Sequence, residues 1–67
     1  MTFKQAKCKV ARARKNLEQI YKISRDVALW NLMDGPPHKF DIDSLYAVQD
    51  TATHMIDRVK KLEESTR

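Results

Sequence analysis

The single glycine and both prolines of this 67-residue chain occupy consecutive positions, Gly35, Pro36 and Pro37. Gly35 can take the left-handed conformation that ends a helix, and two prolines directly after it cannot continue one. The stretch from Asp34 to Lys39 is therefore expected to be a turn, with one long helical segment on each side of it.

The segment before the turn, about residues 2–33, opens with Thr2 and, three positions on, Gln5. This is the pattern of a capping box, in which hydroxyl and amide satisfy orphan backbone N–H groups reciprocally. Phe3, Ala6, Val10, Ala13, Leu17 and Ile20 then recur in alternating steps of three and four. That spacing places them on one stripe of a helix. After a step of three the stripe continues through Ile23, Val27 and Trp30. Small residues near its start permit close helix approach, and large ones near its end fill a wider gap.

The segment after the turn, about residues 42–65, starts as clearly. Asp41 is placed as N-cap, Asp43 lies in the first turn where its charge complements the helix dipole, and Phe40 is placed to staple onto Leu45. Leu45, Val48, Ala52, Met55, Val59 and Leu62 repeat the same alternation. On the outer surfaces, Glu18 with Lys22 and Asp57 with Lys61 have the four-residue spacing of helical ion pairs.

Two such stripes across one stiff turn predict an all-α fold, an antiparallel two-helix hairpin forming a single domain over residues 1–67. Folding about the prolines sets Trp30 and Val27 near Leu45 and Val48, Ile20 near Met55, and Ala13 near Val59 and Leu62. The first two turns, with Phe3, Lys4, Lys7 and Lys9, are expected to overhang.

A chain this short buries a small fraction of its surface, and the usual covalent and metal staples are missing. Cys8 is the only cysteine, so no intrachain disulfide forms; a lone thiol suits a reducing compartment, and a cytoplasmic location is expected. No apolar run approaches the roughly 18 residues that span a bilayer. The first seventeen residues are basic and acid-free like a transit peptide, yet lack serine and grade into the helix, so targeting is not expected. Stability is left to helix packing or association. Leu29, Leu32, Ile42, Tyr46 and Ile56 fall off the assigned stripes and, with Trp30, form a candidate protein interface. Two hairpins are expected to pair into a homodimeric four-helix bundle.

Charge is segregated along the chain. Residues 1–25 hold eight Lys or Arg against Glu18, net +7; residues 26–57 hold six Asp against Lys39, net −5; residues 58–67 are net +2. In a hairpin both basic segments meet at the open end, and the loop end is acidic. An antiparallel pairing of hairpins sets each basic end beside the acidic end of the other.

No residue pattern here carries identifiable chemistry. Cys8, His38 and His54 are too dispersed to converge on a metal within one hairpin, so no metal or other cofactor is expected. His54 is read as the surface partner of Asp50, and Cys8 as a partly packed neighbour of the seam. No nucleophile elbow, phosphate-cradling loop or cysteine with an orienting histidine is present, and a helix pair offers no sizeable pocket. Neither catalysis nor a small-molecule substrate is expected. Lys4, Lys7, Lys9, Arg12, Arg14 and Lys15 are a candidate contact for DNA, RNA or an acidic partner, although they point around most of the helix and lack interleaved aromatics. Membrane-surface binding is not expected, because Ala6, Val10 and Ala13 are weak anchors. These features describe a small non-enzymatic interaction or regulatory module acting through exposed helix faces; the alternative is a nucleic-acid-binding regulator using the basic end.

Overall fold

Thr2 begins the first helix as its side chains require. Its Oγ1 accepts the Gln5 N–H at 3.2 Å, and Gln5 Oε1 accepts the Thr2 N–H at 2.9 Å, closing both halves of the capping box. The computed structural model describes residues 1–33 and 39–65, and among them forms two α-helices, α1 (Phe3–Asn31) and α2 (Ile42–Ser65). The hairpin and its bounds follow the sequence pattern closely. Asp34, Gly35, Pro36, Pro37 and His38, where the sequence predicts the turn, lie outside the described residues.

α1 ends at Asn31, two residues short of the expected limit, where the Leu32 N–H is shared between the carbonyls of Ala28 and Leu29, each at 3.2 Å. Asp41 immediately precedes α2: its carbonyl accepts the Leu45 N–H at 3.1 Å and its carboxylate accepts the Ser44 hydroxyl at 2.6 Å. Phe40, expected against Leu45, sets its ring 6.1 Å from that of Trp30.

The helices pack antiparallel, with a polar fastening at each end. Near the loop, the Asn31 amide donates to the Phe40 carbonyl and accepts the Phe40 N–H, both at 2.7 Å. At the open end, the Arg14 guanidinium donates to Glu63 across the pair and to Glu18 at 2.8 Å within α1. Glu18 thus takes the cation one turn before it rather than Lys22 one turn after. Because Arg14 is level with Glu63, the first two turns of α1 run past the last described turn of α2.

The residues between the helices differ in part from those expected. On α1 they are Val10, Arg14, Leu17, Tyr21, Ser24, Ala28 and Asn31; on α2 they are Ile42, Leu45, Gln49, Ala52, Ile56, Val59 and Glu63. This second set keeps the alternation of three and four but is turned around each helix from the apolar stripe. Ala28 and Ala52, 4% and 3% exposed, are the only buried hydrophobic residues among those described; Ser24 and Asn31 are the buried polar ones. Ser24 donates to the Ile20 carbonyl at 2.8 Å, so its hydroxyl is satisfied within α1 and only a small side chain faces α2. Small side chains let the two backbones approach closely. Ile42 and Ile56, expected on a leftover outer face, are half-buried in this seam. Leu29, Trp30, Leu32 and Tyr46 are exposed as expected, and Ile20, Ile23, Val48, Met55 and Leu62, expected inward, are exposed as well.

The Asn31 clasp makes a direct prediction. Asn31→Ala leaves both polar groups of Phe40 without their partner and is expected to cost about 1–3 kcal/mol in a urea titration. Asn31→Asp, which keeps an acceptor and loses the donor, is expected to fall between the two; an unchanged Asn31→Ala midpoint contradicts the clasp.

Candidate functional site

Turning the seam gives the hairpin two unlike broad faces. On one, Ile20 from α1 and Val48, Thr51 and Met55 from α2 rim a groove of about 350 Å³ whose floor includes Leu17 and Ala52. Helical spacing extends this face along α1 through Ala13, Ile23, Val27 and Trp30, and along α2 to Leu62. Asp26, Val27, Trp30 and Phe40 line a second depression toward the loop. The opposite face carries Tyr21 with Asp43, Tyr46, Gln49, Asp50 and Thr53 around a polar hollow.

The apolar face is wet along its length. Ile20 is 44% exposed, Ile23 52% and Met55 48%, values ordinary for a lone surface side chain but here shared by neighbours at successive heights. Contiguity, not any single exposed residue, marks an interaction surface. The candidate interface residues do not form one patch: Trp30 lies on the apolar face, Tyr46 on the polar face, and Leu29 on the flank that carries Lys22, seven residues earlier. Leu32, at the end of α1, is 64% exposed. Ile20, Ile23, Val48, Met55 and Leu62 belong to the face although the sequence pattern assigns them inward.

Of the six basic candidates, Lys4, Lys7, Lys9, Arg12 and Lys15 are exposed, and the Lys7 ammonium lies 5.9 Å from the centroid of the Phe3 ring. Arg14 is occupied elsewhere. Its hydrogen bond with Glu63, followed by that with Glu18, holds the guanidinium above its already high ordinary pKa. A raised value means that the guanidinium stays protonated beyond the ordinary arginine range and that the bond to Glu63 is lost as pH rises past it. Arg14 is thus a fastening between helices, removed from the set available to a ligand.

Cys8 is exposed rather than partly packed, and His54 is exposed as expected. Among the described residues no three His, Cys, Asp or Glu side chains come together to hold a metal ion, and no helix is long and apolar enough to cross a membrane. The chain matches no protein-family model, no curated protein and no solved structure.

The Arg14 fastening predicts localised loosening. In Arg14→Met, amide hydrogen exchange in the last two turns of α2 is expected to accelerate several-fold, while the amide of Phe40 keeps its protection. Uniform acceleration through both helices, or none, contradicts a local role.

Proposed function

We propose that this chain is a non-enzymatic protein-interaction module whose working surface is the apolar face of the hairpin. The observation that carries this reading is the inversion of side-chain size: alanine, serine and asparagine are buried between the helices, while Ile20, Ile23, Trp30, Val48, Met55 and Leu62 meet water. A hairpin selected to stand alone gains most by burying its largest apolar side chains. Leaving them on one face makes a macromolecular partner part of the folded state's balance. The face is long and nearly flat, suited to another helical surface rather than a small molecule.

The test compares the faces. In native-host extract, tagged wild-type chain is expected to elute in a complex larger than the chain, Met55→Asp to lose that complex, and Thr53→Asp on the polar face to keep it. Equal behaviour of the two variants, or elution of the wild type at the size of the chain alone, removes the reading.

A second reading rests on the overhang, where Lys4, Lys7 and Lys9 extend past α2 with Arg12 and Lys15 following, all exposed. On this reading the basic end holds nucleic acid through its phosphates. Anisotropy titrations with mixed DNA and RNA are then expected to give an affinity falling steeply with salt, and Lys4→Glu with Lys7→Glu to reduce it about tenfold or more. Arg14→Met is expected to change it little; salt-independent binding, or none, leaves the first reading alone.

A further inference from the structure

The hairpin is too extended to be a finished globule. A compact monomer of its 7.9 kDa mass is expected to expose about 4,400 Å². This chain exposes 5648 Å². Its Cα radius of gyration is 15.6 Å, against about 11 Å for a compact domain of this length. The excess lies in a rod with Cα extents of 50 × 16 × 13 Å. One broad face of such a rod is on the order of 800 Å², and two in contact bury roughly the 1,600 Å² of a stable specific interface.

The position of the groove narrows the choice of occupant. Leu17 is the central residue of α1, with fourteen helical residues on either side, and Ala52 lies near the middle of α2. A surface that meets its own copy across a two-fold axis must be self-complementary about that axis. A two-fold axis lying in the contact plane across the helices at this height sets groove over groove, so that the Ile20 and Met55 rims of the two copies meet around a shared centre. A step of seven from Ala13 to Ile20, steps of three and four on through Ile23, Val27 and Trp30, and steps of seven in Val48, Met55 and Leu62 give the face the repeat of knobs-into-holes packing.

Charge fixes the direction. Lys9 and Arg12 lie eighteen residues, five full helical turns, before Val27 and Trp30, and therefore on the same lines of α1. The face thus runs from cations at the open end to Asp26 and Asp41 at the loop end. Parallel stacking sets Lys9 and Arg12 against their own equivalents. Antiparallel stacking brings them to the height of Asp26 and Trp30 in the other copy, where a carboxylate and an aromatic face both favour a cation.

We propose that the occupant of the apolar face is a second copy of this chain, packed antiparallel across a two-fold axis at the level of Leu17 and Ile20, closing two hairpins into a four-helix bundle. This rests on the reading of the apolar face as the working surface and names its partner. Sedimentation equilibrium of the full chain at micromolar concentration is expected to return twice the chain mass. Spin labels on the native Cys8, which is exposed and away from the groove, are expected to lie roughly 30–40 Å apart in the antiparallel dimer and within about 20 Å in a parallel one, from the 1.5 Å rise per residue.

Ile20→Asp, present twice in a symmetric contact, is expected to raise the dissociation constant at least about 100-fold. Arg12→Glu is expected to weaken the dimer about tenfold, and adding Asp26→Arg to restore it, which loss of folding does not do. A monomer at about 100 µM, a short Cys8 separation, or a dimer indifferent to Ile20→Asp and to the charge exchange overturns the proposal. Failure of the dimer alone, with the Met55→Asp and Thr53→Asp contrast in extract intact, assigns the face to a different polypeptide; loss of that contrast as well removes both readings.

Discussion

Burial of small side chains, Ser24, Ala28 and Ala52, at the centre of the helix contact is the constraint from which the rest of the molecule follows. At those positions the contact encloses only a methyl or hydroxymethyl group, and the larger seam residues, such as Leu17, Ile42 and Ile56, are half-buried around it. The large apolar residues are therefore displaced to the flanks of the contact. Ile20, Ile23, Trp30, Val48, Met55 and Leu62 turn from the seam toward the same broad face, as the shared groove of Ile20 and Met55 records, whereas Tyr46 and Leu29 lie away from it. Packing between two helices thus decides the chemistry of a surface neither helix buries.

Apolar contacts along the seam, small at its centre and half-buried elsewhere, are weakly directional. Register comes from polar groups at its ends. Asn31 bonds both backbone groups of Phe40 at 2.7 Å, and this bidentate fit admits one relative height of chain and helix. Arg14 does the corresponding work at the open end by joining Glu63 of α2 to Glu18 of α1. Its side chain remains 27% exposed, so the fastening specifies alignment more than it adds stability. Apolar replacements at both ends would keep a helix pair but release the height at which it closes.

Much of this is legible in the sequence. Thr2 and Gln5 announce the start of α1, Asp41 that of α2, and the alternating spacing gives two helices with bounds correct to within two residues. What the spacing does not resolve is which stripe faces inward. Leu45, Val48, Ala52, Met55, Val59 and Leu62 have the same period as Leu45, Gln49, Ala52, Ile56, Val59 and Glu63, and they share three members. Hydrophobicity favours the first set; the contact selects the second, because Glu63 has Arg14 opposite it. Polar residues at heptad positions are the overlooked signal: Arg14, Ser24 and Asn31 on one segment and Gln49 and Glu63 on the other sit a heptad position from large apolar neighbours. Arg14, Glu63 and Asn31 take inward positions because partners meet them from the other segment, and such pair identity is a property of the fold; Ser24 is satisfied within α1.

Having one apolar broad face rather than two also limits what the hairpin can build. Apolar surfaces on both sides of a flat helix pair would allow layer upon layer to stack, since every added copy would present a fresh sticky face. Here the second face carries Asp43, Asp50, Gln49 and Thr53, which hold their water at low cost when left exposed. In the proposed pairing, contact through the apolar side would use the surface that drives it and leave the side of Asp43, Gln49, Asp50 and Thr53 outward, so association would end at two layers. On that proposal the polar hollow around Tyr21 and Tyr46 faces water, and its hydration opposes the stacking of a further layer.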